Sequence, residues 1–308
     1  YRRRKSGFDR RNGGQSRMSK SRSPIRMLVD LTNPGQYFAC CGLLELADRL
    51  WPGAEGWFDS GTFCVACEGT LVKLLDAVAD CDLTSAMSPN RQARFEEISK
   101  WSGARRKRTP VVEAEYKTLG TSLRDAPVVL KAPFDITLDW FVDDFAGGSR
   151  FKTWAGKQSA LSISATMHDA WKSAAKLNED CLSYAVTNCG LPFNFDSDLG
   201  GQGKAVDIGF SIDSLAGSSL TRVETTVRPV LELLAFVGLQ RFRPKEIGGQ
   251  DRFLYVAWAG PLPVPVAAPA ACGASVAAGM NRFIFRMLRR TQYHKSFLPA
   301  IRQYGDFG

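Results

Sequence analysis

The sequence predicts an α+β fold in which helices are mixed with antiparallel sheets. Apolar residues recur at helical spacing in some segments, as at Leu43, Leu44 and Ala47, and alternate with polar residues in others, as over 134–140. Helices and strands do not follow one another with the regular spacing of a doubly wound parallel sheet. The 308 residues, 44% of them hydrophobic and 23% charged, are enough for one large domain or two ordinary ones.

The first helix is the best signalled element. Asn33 can cap a helix, Pro34 suits its first position, and Gln36 lies three residues after the cap. An apolar face follows, and Pro52-Gly53 ends the pattern.

The remaining elements of the first half follow from simpler patterns. A hairpin is predicted over 57–66, with a turn at 59–61, and a second helix over 70–79. Residues 84–125 show no clear apolar pattern. Apolar residues at alternate positions predict a half-buried strand over 134–140, and a helix is predicted over 162–177.

The second half alternates again between the two patterns. Strands are predicted over 206–212 and 253–258, and a helix begins at Pro229. A proline-rich extended connector should then lead into a helix of small residues. Near the end, four arginines fall at helical spacing and predict one cationic helix face: Arg282, Arg286, Arg289 and Arg290.

We divide the chain into four regions. They are a basic arm (1–26), an N-terminal α+β region (27–125), a central α+β region (126–265) and a C-terminal helical basic region (266–308). Residues 1–26 contain ten of the 40 basic residues and one of the 31 acidic residues, so the remaining residues carry 30 of each. The net charge of +9 therefore resides in the arm, which is expected to be disordered or to bind nucleic acid.

Composition excludes several classes of protein. With only His168 and His294, a metal site built on two or three imidazoles is nearly excluded. Eight scattered cysteines do not indicate a disulfide framework. Neither a signal peptide nor an uninterrupted apolar span is found, since prolines break the most apolar window. We expect a soluble cytoplasmic protein with reduced thiols, no cofactor and no membrane partner.

Three motifs resemble parts of zinc, phosphate-binding or nuclease sites, but none of them is a complete site. Cys64 and Cys67 form a CxxC pair without a second pair or a nearby histidine, so structural thiols are favoured over zinc. A glycine-rich run over 199–205 lacks the first glycine and the Ser/Thr of a phosphate loop, although it could contact a nucleic-acid backbone through Gln202 and Lys204.

The third motif is a group of carboxylates near the predicted strand. Asp135 and Asp139 share its polar face, and Asp143 and Asp144 follow it. Two-metal nucleases need such carboxylates gathered around two ions. A solvated polar face is the favoured explanation, because alternation places these side chains toward solvent.

Basic residues cluster in three further places. The candidate nucleic-acid contacts are Arg105, Arg106, Lys107 and Arg108; Lys152, Lys157 and Gln158 beside aromatic residues; and Arg282, Arg286, Arg289 and Arg290. Positive groups without neighbouring acids in an otherwise neutral body favour a polyanionic partner over an ordinary solvated face.

Several separated runs resemble one known family. They are LTNPGQ (31–36) with ACCGLLELA (39–47), TWAGKQ (153–158), PFNFD (192–196) with VDIGFS (206–211), and RP (228–229) with ELLAFVGLQRFRP (232–244). Together these runs resemble the CRISPR-associated protein of the type I-U (I-G) effector. The resemblance covers roughly residues 27–265 and assigns no role to an individual residue.

The resemblance implies a non-catalytic subunit of a Cascade-like surveillance complex in antiviral defence, in the manner of its large subunit. Such a subunit recognises the short motif (PAM) beside the protospacer in target DNA and supports recruitment of the helicase-nuclease. Its implied partners are CRISPR guide RNA, target DNA and the other backbone subunits.

Two alternatives remain open. One is a guide-RNA-binding structural subunit of the repeat-associated (RAMP-like) kind, with ferredoxin-like pieces over 206–259. The other, from a different class, is a metal-dependent nuclease that uses Asp139, Asp143 and Asp144.

Overall fold

The computed structural model describes most of the chain between residues 24 and 304. The described residues are 24–102, 108–142, 151–154, 158–174, 177–187, 190, 192–200, 226–249, 251–274, 280–289 and 295–304.

The described residues contain eight α-helices and confirm the predicted mixture of helices and antiparallel sheets. The helices are α1 (Pro34–Leu50), α2 (Leu71–Asp80), α3 (Pro89–Ser99), α4 (Pro110–Arg124), α5 (Ala160–Lys172), α6 (Ser197–Gly200), α7 (Pro229–Gly238) and α8 (Val264–Ala271). Short 3-10 helices occupy Lys100–Ser102 and Cys181–Ser183.

Fourteen strands accompany these helices. They are β1 (Ile25–Leu28), β2 (Glu55–Asp59), β3 (Thr62–Ala66), β4 (Leu83–Ser85), β5 (Val128–Leu130), β6 (Ile136–Leu138), β7 (Val186–Thr187), β8 (Thr226–Val227), β9 (Lys245–Glu246), β10 (Arg252–Ala257), β11 (Leu262–Pro263), β12 (Asn281–Arg289), β13 (Lys295–Phe297) and β14 (Ile301–Gln303).

The strands form four antiparallel sheets among the described residues. Their orders are β1-β3-β2-β11, β4-β5-β6, β7-β8, and β13-β12-β10-β9, with β14 also paired to β12. In the first sheet, the antiparallel pairing of β2 with β3 confirms the hairpin predicted over 57–66.

Helix α1 forms the centre of the main core. The Asn33 side chain accepts from the Gln36 amide as predicted, while the Gln36 side chain accepts from the Asp30 amide at 2.8 Å. Every residue from Pro34 to Ala47 is buried. A helix buried on all sides must be enclosed by other elements. Its principal neighbour is α7, which is also buried along its whole length.

Aromatic residues from distant parts of the chain join the elements of this core through hydrogen bonds and ring stacking. The Tyr37 hydroxyl donates to the Val256 carbonyl at 2.7 Å, and the Trp258 indole donates to the Gly56 carbonyl at 2.6 Å. The rings of Tyr37 and Tyr255 stack with centroids 4.3 Å apart. These contacts hold α1 against β10 and the first sheet.

Helices α3 and α4 occupy the stretch whose sequence lacks an apolar pattern. They share a small separate core of Met87, Ile98, Leu119 and Ala126. Ion pairs between Arg94 and Glu115 at 2.9 Å contribute to this pairing. A helix pair with so few apolar positions leaves little periodicity in the sequence.

The end of the chain corrects two predictions. Residues 281–289 form strand β12 and not a helix, and β13 and β14 follow, so the described part of the C-terminal region beyond residue 280 is sheet. Phe283, Phe285 and Met287 are buried while residues between them are more exposed, which is the period of a strand. The second correction is that α8 begins inside the proline-rich run, at Val264, because prolines are tolerated in the first turn of a helix.

Candidate nucleic-acid interface

The outer face of the sheet containing β9, β10, β12 and β14 carries most of its exposed cations. Residues directly opposite in antiparallel strands point to the same face. Phe253 is paired with Phe285 and Tyr255 with Phe283, and all four are buried in the core. The alternate positions therefore form the other, outer face. Part of that face is covered, because Val256 is buried there and a Cβ atom on Gly273, just after α8, would lie 3.5 Å from both Leu254 and Val256.

An arginine pair lies at one end of this face. Arg252 of β10 is directly opposite Arg286 of β12, and both are exposed. Opposite residues of an antiparallel pair have Cβ atoms about 4.5–5.5 Å apart, and like charges in that relation repel. Neither arginine forms an ion pair or side-chain hydrogen bond with another described residue. The pair therefore presents two cations that are not neutralised by this part of the protein.

A row of apolar side chains crosses the sheet beside that pair. Leu254 is opposite Ile284, and Ile284 is opposite Ile301. Leu254 and Ile284 are half-buried, whereas Ile301 is 71% exposed. Lys245 of β9 is opposite Leu254 and extends the row to the other edge of the sheet.

A third cation lies on the far side of the apolar row. Arg282 of β12 is opposite Val256 of β10 and Gln303 of β14. The apolar row therefore runs between Arg282 on one side and the Arg252–Arg286 pair on the other. We call this surface the arginine face: it comprises Lys245, Arg252, Arg282 and Arg286 with the apolar row of Leu254, Ile284 and Ile301.

Strand β14 has a stacked pair at the edge of the sheet, on the face opposite the arginine face, because Arg302 is paired with the buried Phe283. The Arg302 guanidinium lies over the Tyr304 ring at 5.0 Å from its centroid and donates to the Asn281 side chain. Tyr304 is 80% exposed. An exposed ring beside a guanidinium offers a surface on which a base can stack.

Sequence patterns predict part of this surface and miss part of it. Arg282 and Arg286 were predicted on a helix face, whereas the structure places them on a strand face. Arg252 and Lys245 were missed, although the alternation of Arg252 and Leu254 with Phe253 and Tyr255 is a strand signal in the sequence.

The structure gives Arg108 a role in packing. Its guanidinium donates to the Ile98 carbonyl at 3.2 Å, pairs with Glu113 at 3.2 Å, and lies 3.6 Å from the centroid of the Tyr116 ring. Its side chain is only 16% exposed. Arg108 thus joins α3 to α4, with little of its surface left for a phosphate.

Lys152 is similarly enclosed. Its side chain is 14% exposed, its amine lies 4.0 Å from a carboxylate oxygen of Asp125 and 5.5 Å from the Trp154 ring centroid, and burial lowers its pKa. Gln158 is half-buried immediately before Ser159, the N-cap of α5.

Several predicted residues lie outside the described part of the chain. They are Arg105, Arg106, Lys107, Lys157, Gln202, Lys204 and Arg290, together with Asp143, Asp144, His294 and the strand predicted over 206–212. The backbone of Arg289 is described, at the end of β12 opposite Lys295, but its side chain is not.

Of the two described carboxylates, Asp139 makes a structural contact. The Gln240 amide donates to Asp139 Oδ1 at 2.8 Å, and its oxygen accepts from the Asp139 and Trp140 amides at 3.0 and 3.1 Å. Asp135 and Asp139 are exposed, as alternation predicted. Within the described residues, no group of three or more His, Cys, Asp and Glu side chains could hold a metal ion.

The thiols and the described histidine are also part of the packing. Cys64 and Cys67 are free, and burial raises the pKa of both thiols. The ring nitrogen Nε2 of His168 donates to the Val78 carbonyl at 2.7 Å, which joins α5 to α2, and burial lowers the pKa of this histidine.

The described parts of the runs that carry the family resemblance meet at the amino-terminal ends of α1 and α7; the run over 206–211 lies outside the described residues. Asn33 donates to Asp196 at 2.7 Å, and Arg228 pairs with Asp196 at 3.2 Å and Asp198 at 3.0 Å. Trp154 packs on Phe193 with ring centroids 4.9 Å apart. These runs therefore form one buried scaffold.

Glu232 is the buried acid at the centre of that scaffold. Its carboxylate accepts from the Phe195 amide at 3.1 Å and the Asp196 amide at 3.0 Å. Burial raises the pKa of Glu232 to about 8, and burial also raises that of Asp196. The acid thus ties the segment around residue 195 to the first turn of α7.

Comparison of the chain with protein-family models, with curated proteins and with solved structures finds no match. Among the described residues, no helix combines the length and the hydropathy that crossing a bilayer requires.

Proposed function

We propose that this chain is a non-catalytic subunit of a type I-U (I-G) CRISPR RNA-guided surveillance complex, in which it contacts target DNA next to the protospacer and supports recruitment of the helicase-nuclease. The separated sequence runs that resemble this family support membership of such a complex. The observation that carries the contact with nucleic acid is the Arg252–Arg286 pair, whose charges no described side chain neutralises.

The chemistry of guanidinium groups fits this role. A guanidinium can donate two parallel hydrogen bonds to a phosphate, and a phosphate between two like-charged arginines removes their mutual repulsion. In an RNA-guided complex, base pairing with the guide reads the long sequence, while protein subunits contact the backbone and a few bases. A small arginine surface without catalytic groups is sufficient for that task.

A second candidate is a structural subunit that holds the guide RNA. The observation that favours it is the location of the exposed cations Lys245, Arg252 and Arg286 on one face of an antiparallel sheet, because RNA is often bound on a sheet face with its bases unstacked.

Co-purification of the full chain with the other subunits of a type I-U (I-G) effector and a CRISPR array tests both candidates. We expect a complex that holds a guide RNA of uniform length. In that complex, the variant Arg252→Gln/Arg286→Gln should retain the guide and lose affinity for target DNA by about tenfold or more.

The matched control is Lys73→Gln/Lys131→Gln, which removes the same charge from two exposed positions outside the sheet that carries the arginine face. Loss of guide RNA in the arginine variant would favour the second candidate. A chain that purifies without partners and without RNA would contradict both.

A further inference from the structure

We propose that the arginine face binds nucleic acid as a single strand, with bases against the apolar row and phosphates at the guanidiniums. This inference rests on the proposed function for the assignment of the face to nucleic acid. It adds the form of nucleic acid that the surface accepts.

The apolar row favours a single strand over a duplex. In a duplex the base faces are stacked inside the helix, so a protein surface meets phosphates, sugars and the edges of bases. Leu254, Ile284 and Ile301 would then lie against polar backbone and bury little apolar area. A single strand can turn its bases onto these side chains, which removes apolar surface of both partners from water.

The shape of the surface favours the same form. Reading a duplex through its major groove requires an element that enters the groove, such as a helix or a two-stranded ribbon. The arginine face lies instead on one side of four adjacent strands, β9, β10, β12 and β14, and its exposed part is the side away from Val256. A flat antiparallel sheet is a surface on which single-stranded bases are laid out.

The cations are spaced to receive phosphates that are not adjacent in the strand. Arg282 lies on one side of the apolar row and the Arg252–Arg286 pair on the other, and the two positions are four residues apart on β12. At about 3.4 Å per residue they are separated by roughly 13–14 Å along the strand. A chain of nucleotides crossing this surface can therefore place phosphates at cations while a base rests between them.

The source of the single strand is not fixed by this chemistry. The displaced strand of an opened target and an unpaired part of the guide RNA both offer phosphates and free bases. Separate binding measurements with single-stranded DNA and with single-stranded RNA distinguish these two sources. Tighter binding to either one is consistent with the inference.

The experiment measures binding of the full chain by fluorescence anisotropy at several salt concentrations. The probes are single strands of about 16 nucleotides, as DNA and as RNA, and a DNA duplex of the same length. We expect the tighter of the two single strands to bind about tenfold or more tightly than the duplex. Arg252→Gln/Arg286→Gln should weaken that binding by about tenfold or more. The same variant should reduce the slope of log K against log salt concentration by about 0.7 for each phosphate that it no longer binds.

A second variant tests the apolar row separately. Ile301→Ser changes a side chain that is 71% exposed, so the fold should be unaffected. We expect it to weaken single-strand binding by roughly fivefold while the salt slope stays the same, because it removes contact with a base and not with a phosphate. Lys73→Gln/Lys131→Gln should leave single-strand binding much closer to that of the unmodified chain.

Three results would overturn the inference. Equal or tighter binding of the duplex, abolished in the arginine variant, would leave the proposed function standing and refute only the single-strand preference. Equal weakening of binding in the arginine variant and in its lysine control would remove the arginine face from both proposals. Displacement of the nucleic acid by polyglutamate at the same concentration of charge would indicate an acidic protein partner.

Discussion

Gly42 of α1 and Gly238 of α7 face each other where the two helices cross. A Cβ atom on Gly42 would overlap the Leu234 carbonyl oxygen, and one on Gly238 would overlap the Phe38 carbonyl oxygen. Both obstructing atoms belong to a helix backbone, which cannot rotate aside as a side chain can. The close approach of these helices therefore requires glycine at both positions.

Gly42→Ala should destabilise the protein by about 2–3 kcal/mol, because the two most buried helices must move apart to accommodate one methyl group. The measurement is the midpoint and slope of urea unfolding. Gly260→Ala is the control, since nothing lies within 4 Å of a Cβ atom there. Equal effects of the two substitutions would show that the crossing is not closely packed.

Arg286→Glu should stabilise the isolated protein while it weakens nucleic-acid binding. The change replaces the repulsion between Arg252 and Arg286 with an attraction between Arg252 and a glutamate. An oppositely charged pair raises the free energy of unfolding by about 0.2–1 kcal/mol, and the relief of repulsion adds slightly to that gain. Urea unfolding at low salt should show the gain, and added salt should reduce it. Lys131→Glu makes the same change of charge at an exposed position outside the helices and strands and should give no such gain. A loss of stability in Arg286→Glu would mean that Arg286 has a structural role.

The free energy of unfolding should vary with pH because Glu232 titrates at different pH values in the folded and unfolded states. Burial raises the pKa of Glu232 to about 8 in the folded chain, above the ordinary value of 4.5. The folded state therefore binds more protons than the unfolded state between these values. The contribution of this group to stability is fully present below about pH 4.5 and is lost as the pH rises toward about 8.

Glu232→Gln should remove most of this slope, because glutamine does not titrate. Urea unfolding of both proteins at several pH values in that interval measures it. Asp196 has a pKa raised in the same direction, so a shallower slope of the same sign should remain. Asp76→Asn changes an exposed carboxylate on α2 and serves as the control. An unchanged slope in Glu232→Gln would contradict the assignment.

Arg108→Ala should weaken the α3–α4 pair without altering nucleic-acid binding. The substitution removes a hydrogen bond to the Ile98 carbonyl, the pair with Glu113 and the contact with Tyr116, with an expected loss of about 1–2 kcal/mol. Hydrogen exchange of the two helices measures the loss. Lys117→Ala, on α4 with a side chain that is 74% exposed, is the matched control. A reduced salt slope for nucleic acid in Arg108→Ala would instead support the prediction made from the sequence.

Local signals in the sequence were sufficient for the elements that begin with a clear cap. The start of α1 at Pro34 and that of α7 at Pro229 were predicted because proline suits the first turn of a helix and an apolar run follows each one. The hairpin of β2 and β3 was predicted from two apolar runs on either side of the turn at 59–61.

The arginine face could not be predicted as a unit, because it depends on pairing between distant strands. Arg252 and Arg286 are separated by a helix and a long connection, and only the register of β10 with β12 places them together. The prediction of a helix over 282–290 gave weight to the spacing of the arginines. The alternation of Phe283, Phe285 and Met287 in the same segment was the better guide, because burial and not charge determines the conformation of a strand.

The hydrogen bonds of Tyr37 to Val256 and of Tyr255 to Leu31 join positions 219 and 224 residues apart. On a ribosome that adds about 5–20 residues per second, α1 leaves the exit tunnel on the order of 10–40 s before its partner strand does. During that interval α1 can pack on β2, β3 and α2 but lacks its principal neighbour α7 and strand β10, so part of its buried surface stays uncovered. The protein should therefore mature late in synthesis and depend on a chaperone, and chains stopped before residue 257 should aggregate and fail to acquire native structure.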